Sequence, residues 1–299
     1  MIKVGLAGST FAVNRHITAL QKIHGISVST QVNDTSISAL VEEIICKSDV
    51  MILTDPGEFY MDLAIQSLRR AKHVFLYPSV VPSTDEMHNL IKLAREANVI
   101  LKCGRTGSFG IQSFIKLLPD LNRINMIEFQ HIIRYAEMAV KPPIRDIILG
   151  DIEIINALIP ARNNFIRAKG LNLFTCNPEI INARLEFDNG SAFNYYCNTL
   201  GTHNEHSITL IFQDSMLKYS LNSNELSGWR VNRNQNENPI FIENIQLEQS
   251  DHLFEDLYSF FNLILSGPAF LSIYDNGFES FVLTDRILEK VSKTLVQYA

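Results

Sequence analysis

Histidine and cysteine side chains are the residues of this sequence whose chemistry suits a metal ion. His203 and His206 lie three residues apart, but no further ligand accompanies them in the segment 202–206. The four cysteines are Cys46, Cys103, Cys176 and Cys197. Their spacing contains no C-x-x-C pair and indicates neither a zinc site nor a disulfide framework. We therefore expect the two histidines to be solvated turn residues and the cysteines to be small core residues.

Basic side chains are candidates for binding an anionic or sugar ligand. Arg105 follows an apolar run at 99–103, and a guanidinium group binds anions through paired N–H groups. An exposed loop arginine with no ligand is the other interpretation of Arg105. Further candidates for a ligand cleft are Lys141, Arg145 and Arg184.

Short apolar runs alternate with amphipathic segments in the first part of the chain. They predict strands near 2–7, 26–32, 49–53, 73–76 and 99–103, and helices near 13–23, 36–47, 58–71, 84–97 and 109–119. Ser83 and Glu86 predict a capping box at the start of the fourth helix. Strands joined by helices predict a doubly wound parallel sheet, which binds ligands at the carboxyl ends of its strands.

The pattern changes after residue 120, so we predict domains at 1–120 and 121–299. The second contains a strand near 124–133, a helix near 144–159 and several strands within 180–247. An Asn-rich stretch at 222–244 predicts an exposed loop or an edge strand. Helices near 251–265 and 276–296 are expected to pack back on the body of the protein. The predicted fold class is α/β, a Rossmann-type domain followed by an α/β domain with a mostly antiparallel sheet.

Composition excludes several classes of partner. The chain has 299 residues, a net charge of -6 and a pI near 5.8, which is the wrong sign for a surface that follows nucleic-acid phosphates. No apolar run reaches the 18 residues that a membrane span needs, and no signal peptide precedes the first strand. We expect a cytoplasmic protein that binds neither nucleic acid nor membranes.

Five segments carry a resemblance to one family. They are 2–8 followed by His16, 49–56 with its Thr-Asp-Pro turn, 71–74, 146–153 and 182–190. Together with the order of elements, they resemble the glucose-fructose oxidoreductase, inositol dehydrogenase and MocA family. The resemblance spans nearly the whole chain. It implies an oxidoreductase with NAD or NADP in the first domain and a sugar or nucleotide-sugar ligand.

The resemblance also implies which residues meet the cofactor. These are Gly8, Ser9, Thr10, Phe11, Asn33, Asp34, Thr54 and Pro56. His16, on the first helix, either neighbours the cofactor or is a local structural side chain. The family loop is G-x-G-x-x-G, of which this chain keeps only Gly8, and we expect the β-branched Thr10 to obstruct a pyrophosphate.

Two of the three catalytic side chains that the resemblance implies are replaced. Pro78 stands at the lysine position and Gly150 at the histidine position. Tyr77 and Asp146 are then the remaining acid/base candidates. Asp146 either orients a substrate or is the N-cap of its helix. Asp151 joins Arg105, Lys141 and Arg145 as a candidate residue of the substrate cleft.

Two functions follow from these residues. The first is a homologue that has lost hydride transfer and acts as a ligand-binding or interaction module. The alternative is an active NAD(P)-dependent oxidoreductase that acts on a sugar or nucleotide sugar with a non-standard acid/base. In either case the resemblance implies a homodimer or larger oligomer.

Overall fold

The computed structural model shows two compact units, each formed from two stretches of chain. It describes residues 1–32, 37–55, 60–77, 82–104, 114–115, 117–118, 120–135, 143–159, 161–231, 240–247, 251–266 and 270–297. Unit 1 comprises Met1–Thr106 and Asp251–Phe281, and unit 2 comprises Gly107–Ser250 and Val282–Ala299. The first division thus falls after Thr106, whereas the sequence pattern places the domain boundary at 120.

Unit 1 is built on a five-stranded parallel sheet. Its strands are β1 (Ile2–Ala7), β2 (Ile26–Val32), β3 (Val50–Leu53), β4 (His73–Leu76) and β5 (Leu101–Cys103), in the order β2-β1-β3-β4-β5. The order reverses between β1 and β3, and in open parallel sheets such a reversal opens a ligand crevice at the carboxyl ends of the strands. The predicted doubly wound sheet is confirmed.

Seven α-helices have bounds within the described residues, and a short 3-10 helix spans Leu121–Arg123. The α-helices are α1 (Thr10–Leu20), α2 (Ile37–Lys47), α3 (Tyr60–Arg69), α4 (Thr84–Ala97), α5 (Ile144–Leu158), α6 (His252–Ser266) and α7 (Phe270–Thr294). The capping box before α4 is confirmed, because Ser83 Oγ accepts from the Glu86 N–H at 3.2 Å and the Glu86 carboxylate accepts from the Ser83 N–H at 2.7 Å. None of the described helices is both long and apolar enough to cross a membrane.

Helix α6 belongs to the core of unit 1 although it lies late in the chain. Leu257, Phe260 and Phe261 are fully buried together with residues of β1, β3 and β4. The rings of Phe75, on β4, and Phe260 have centroids 5.3 Å apart. Helix α6 therefore covers the parallel sheet.

Unit 2 is built on a nine-stranded, mostly antiparallel sheet. Its strands are β6 (Met126–Arg134), β7 (Asn163–Asn172), β8 (Ile180–Phe187), β9 (Ala192–Gly201), β10 (Glu205–Ile211), β11 (Ser215–Ser220), β12 (Glu225–Val231), β13 (Ile240–Gln246) and β14 (Val296–Gln297). The order is β13-β12-β11-β10-β6-β9-β8-β7-β14, in which β6 pairs with β9, and β7 with β14, in parallel. The stretch 222–244, predicted as an exposed loop or an edge strand, contains β12 and the start of the edge strand β13, while residues 232–239 lie outside the described residues.

The buried face of this sheet packs on α5. Ile148, Ile152 and Ile155 lie on one side of that helix because residues three and four apart share a face, and all three are fully buried. They share one core with Phe129 of β6 and Phe193 of β9. A polar residue on this buried side of α5 therefore faces the sheet directly.

The cysteines correct one expectation. Cys197, on β9, is fully buried, as expected of a core residue. Cys46 and Cys176 are exposed and Cys103 is half-buried, so three of the four are not core residues, and all four are free thiols. Cys46 lies near the end of α2, where Arg70 Nη1 is 3.8 Å from its sulfur, and Cys176 lies in the turn between β7 and β8.

Candidate functional site

Thr54 packs against Ala7 and Gly8 at the carboxyl ends of β1 and β3. The Thr54 N–H donates to the Ala7 carbonyl at 2.9 Å and the Thr54 hydroxyl donates to the same oxygen at 3.2 Å. A Cβ built on Gly8 would lie 1.7 Å from Thr54 Oγ1, far inside van der Waals contact. The close approach of Thr54 therefore explains why residue 8 is glycine, without any phosphate.

The N-terminus of α1 already holds a carboxylate. The Ser9 N–H donates to Asp55 Oδ2 at 2.7 Å, and Asp55 follows directly after Thr54. Ser9 is also the N-cap, and its hydroxyl accepts from the Ala12 N–H at 3.4 Å. Because backbone N–H groups and the helix dipole favour an anion at this position, Asp55 satisfies locally the group that would otherwise attract a phosphate.

The other loop residues have different surroundings. Thr10 is the first residue of α1 and is exposed, and the Phe11 side chain is 81% exposed. Asp55, and not the branched side chain of Thr10, is thus the group that occupies the N-terminus of α1. Five other candidates lie outside the described residues: Asn33, Asp34, Pro56, Arg105 and Lys141.

Tyr77 and His16 are in contact. Tyr77 follows β4, is half-buried, and has its ring centroid 4.8 Å from that of His16 in an edge-on arrangement. The ring of His16 donates Nδ1–H to the Ala12 carbonyl at 2.8 Å, while its buried Nε2 has no partner among the described residues. Burial lowers the pKa of His16, opposed by the bond to Ala12 and by the charge of Asp55. A neutral imidazole is therefore favoured here.

A buried lysine in unit 1 lies outside the sequence predictions. Lys102, on β5, is 8% exposed, and its ammonium group donates to the Asp256 carbonyl at 3.0 Å and to Ser259 Oγ at 2.6 Å. The Asp256 carboxylate is 3.6 Å away. Since Asp256 and Ser259 both belong to α6, Lys102 fastens that helix to the sheet, and this is a structural role.

Two of the predicted residues of unit 2 lie in the first turn of α5. The helix begins at Ile144 with Pro143 as its N-cap, so the interpretation of Asp146 as the N-cap is wrong. Burial raises the pKa of Asp146, and the neighbouring Arg145 opposes that shift. Arg145, expected in a ligand cleft, donates from Nε to Asp285 of α7 at 3.1 Å. That ion pair links α5 to α7.

Asp151 is the predicted residue around which the structure gathers a site. Its carboxylate is 1% exposed and accepts from His131 Nδ1–H at 2.9 Å and from His206 Nε2–H at 2.9 Å. The Tyr195 hydroxyl donates to the same carboxylate at 2.7 Å. The two imidazoles stack with centroids 3.9 Å apart and planes 17° from parallel. We call His131, Asp151 and His206 the His–Asp–His cluster.

The electrostatics of the cluster favour an ionised carboxylate. Burial by itself raises the pKa of Asp151, but the charge and hydrogen bond of His131, with those of His206, outweigh it and lower that pKa to about 2. Burial and the charge of Asp151 together raise the pKa of Tyr195 well above its ordinary value, so its hydroxyl stays a donor. Because a carboxylate only accepts, the proton of each ring lies on the nitrogen that faces Asp151.

Strand register brings the two histidines together. His131 and His206 are direct cross-strand partners in the antiparallel pair of β6 and β10, and Cys197 is the partner of His131 on β9. The rings are only partly exposed, at 18% and 16% of the side chain. His206 is therefore a strand residue facing the core, and the expectation of a solvated turn residue is wrong. His203 is 61% exposed in the turn before β10, as expected.

The sequence does contain a signal for this cluster. Ile127, Phe129 and His131 alternate along β6 so that all three face the core, and His206, Ile208 and Leu210 do the same along β10. Asp151 stands four residues after Ile147 and four before Ile155 on the buried side of α5. Each of these three polar residues therefore stands at a position where the pattern of its strand or helix predicts a buried apolar side chain.

Comparison with known proteins bears on the fold. No protein-family model and no curated protein sequence matches this chain. Solved structures do match over nearly their full length. UDP-N-acetylglucosamine 3-dehydrogenase from Acidithiobacillus ferrooxidans has a TM-score of 0.83 at 15% identity, covering 98% of both chains. Biliverdin reductase from Synechocystis sp. PCC 6803, in complex with biliverdin and NADP+, has a TM-score of 0.76 at 16% identity, covering 97% of this chain and 99% of that chain.

A third solved structure agrees with these two. Levoglucosan dehydrogenase, in complex with NADH and L-sorbose, has a TM-score of 0.75 at 12% identity, covering 99% of this chain and 98% of that chain. These likenesses confirm the fold implied by the resemblance, a Rossmann-type parallel sheet and a mostly antiparallel sheet.

Proposed function

We propose that this chain is a ligand-binding protein with an oxidoreductase fold, and that it does not carry out hydride transfer from a dinucleotide bound at β1 and α1. The single observation that carries the proposal is the hydrogen bond between the Ser9 N–H and the Asp55 carboxylate at 2.7 Å. A pyrophosphate at the N-terminus of α1 would compete with Asp55 for this N–H and would meet a like charge.

The residues of this loop do not fit the cofactor that the fold implies. A glycine in such a loop normally lets the phosphate approach the backbone, but Gly8 here is packed against Thr54. The catalytic positions point the same way, since Pro78 and Gly150 offer no proton donor. The phosphate loop, the lysine position and the histidine position, which serve one reaction, are therefore all altered.

The ligand that we propose is a sugar or nucleotide sugar, and its site is the half-buried edge of the His–Asp–His cluster. Asp151 holds each ring with its proton inward, so the second nitrogen of each ring, His131 Nε2 and His206 Nδ1, is an acceptor. Neither nitrogen has a partner among the described residues. Two adjacent acceptors suit a molecule with several hydroxyl groups.

The alternative, an active NAD(P)-dependent oxidoreductase, is favoured by one feature of unit 2. A histidine oriented by a buried carboxylate is the usual arrangement of a general base, and the chain has two of them. The solved structures with this fold include a dehydrogenase in complex with NADH and a reductase in complex with NADP+. These cofactor complexes are the second reason to consider an active oxidoreductase.

Titration of the purified chain with NADH and NADPH separates the two functions. Nicotinamide fluorescence and the melting temperature are followed together, since a ligand that binds only the folded state stabilises it. We expect no shift in melting temperature at millimolar cofactor, and a shift with UDP-sugars. Binding of either cofactor tighter than about 100 μM would overturn the proposal, because it would raise stability by about 1.4 kcal/mol at 1 mM.

A further inference from the structure

We propose that the His–Asp–His cluster binds one divalent transition-metal ion, of the chemical class of Zn²⁺ or Co²⁺. The ligands would be Nδ1 of His131, Nε2 of His206 and the carboxylate of Asp151. These atoms come from three separate elements, β6, β10 and α5, and all lie within 4.8 Å of one another. The inference does not rest on the proposed function, because the ion would bind the nitrogens that face Asp151, whereas the proposed sugar contacts the outer nitrogens of the same rings.

The composition of the cluster selects the class of ion. Two imidazole nitrogens and one carboxylate are the set that borderline divalent ions prefer, whereas Mg²⁺ and Ca²⁺ prefer oxygen ligands alone. Three protein ligands leave a fourth position of a tetrahedral ion open, which is typical of zinc sites that bind water or a substrate. The His131 and His206 side chains are 18% and 16% exposed, so the cluster borders solvent.

The charge balance of the cluster also favours a cation. Asp151 is 1% exposed, and among the described residues no lysine or arginine pairs with it. Each coordinating nitrogen gives up the proton that it now donates to Asp151, and that proton moves to the other nitrogen of the same ring or to solvent, so the ion replaces it as the partner of the carboxylate. A buried charge is costly unless it is paired, and a divalent ion would pair it.

Binding of an ion requires the two rings to move. Around a tetrahedral ion with bonds near 2.0–2.1 Å, ligand atoms lie about 3.3 Å apart, while the nitrogen–oxygen distances here are 2.9 Å. Each nitrogen therefore withdraws from the carboxylate by about 0.4 Å. The rings are 17° from parallel, so both must also turn to direct their nitrogens at one ion, and the ring stacking at 3.9 Å would be lost.

Tyr195 acts as a positioning residue for this site. Its hydroxyl is fully buried and donates to Asp151 at 2.7 Å, which leaves the other oxygen of the carboxylate for the ion. Such outer contacts typically change metal affinity by about 10- to 100-fold. We therefore expect Tyr195→Phe to weaken Zn²⁺ binding within that range and to leave the number of ions bound at one.

The test uses the purified full-length chain, stripped of metal with a chelator and dialysed. Zn²⁺ binding is measured by calorimetry, and Co²⁺ binding by the visible absorption of the cobalt ion. We expect one ion per chain and an absorption typical of four- or five-coordinate Co²⁺. His131→Gln and His206→Gln should each weaken Zn²⁺ binding more than about tenfold, since each removes a direct ligand.

His203→Gln is the matched control, because His203 lies three residues from His206 but is 61% exposed in a turn. It should leave the affinity unchanged. Circular dichroism and the melting temperature of the metal-free variants check that each one folds. If only one of the two histidine variants folds, that variant alone is sufficient for the test. Failure of the wild-type chain to take up Zn²⁺, or an equal loss of affinity in His203→Gln, overturns the proposal. In that case hydrogen bonds, without an ion, hold His131 and His206 to Asp151.

Discussion

Asp55→Asn tests whether one carboxylate keeps a dinucleotide from the N-terminus of α1. Asparagine has nearly the same shape and keeps a side-chain oxygen that can accept from the Ser9 N–H, now at 2.7 Å from Asp55. The substitution thus removes the charge and keeps the loop. We expect it to strengthen the binding of NADH and NADPH.

The magnitude follows from the position of Asp55. A phosphate that binds at the same end of α1 would lie about 5 Å from the carboxylate, and two like charges at that distance repel by about 1 kcal/mol in water and about 3 kcal/mol at an effective dielectric constant near 20. Since about 1.4 kcal/mol is a factor of ten, the variant should bind either cofactor about 5- to 150-fold more tightly than the wild type.

The assay is a nicotinamide fluorescence titration at low and high salt, with Asp49→Asn as the matched control. Asp49 accepts from the Lys3 N–H at 2.9 Å at the opposite, amino end of β3, so its charge is remote from α1. High salt should reduce the difference between wild type and Asp55→Asn, because it screens the repulsion. Equal affinity in wild type and Asp55→Asn, or an equal gain in Asp49→Asn, would refute the reasoning.

Three further substitutions test the packing around these sites by their free energies of unfolding. Gly8→Ala should destabilise unit 1 by about 2–3 kcal/mol, since its Cβ would lie 1.7 Å from Thr54 Oγ1, and adding Thr54→Ala should recover part of that loss in a double-mutant cycle. Ser83→Ala should cost about 1 kcal/mol in thermal unfolding through loss of the α4 cap, with little effect on ligands. In metal-free protein the pKa of Asp151 lies at about 2, below the unfolded value near 3.9, so this carboxylate stabilises the fold above pH 4 and the gain is lost as the pH falls towards 2. Asp151→Asn should therefore flatten the stability profile between pH 5 and 2, and a profile identical to wild type would contradict this assignment.

Elements with strong local signals could be predicted from the sequence. The capping box of Ser83 and Glu86 defined the start of α4, and the alternation of strands and helices gave the parallel sheet. The Asn-rich stretch was harder because its apolar alternation is weak. Its strand β13 is defined by pairing with β12, for example Ile245 opposite Leu226, which is a tertiary contact that no local window contains.

The candidate site was predicted only in part, for a different physical reason. Asp151 was named, but His131 was not, and His206 was expected to be a solvated turn residue, because a histidine facing the core looks like a surface histidine unless the face of its strand is assigned. The register that places His131 opposite His206 joins residues 75 positions apart. Likewise Asp55 meets Ser9 across 46 positions. Both contacts depend on the sheet order.

Gly8 shows how a retained motif residue can mislead. A glycine after the first strand of such a fold is normally explained by the phosphate that it lets approach. Here the space beside Gly8 is occupied by the hydroxyl of Thr54, and the N–H that follows is bound by Asp55. The glycine would therefore be required even in a chain that never binds a dinucleotide. Its presence is evidence for the packing of β1 against β3, and only the affinity of Asp55→Asn for NADH can decide whether it is also evidence for a cofactor.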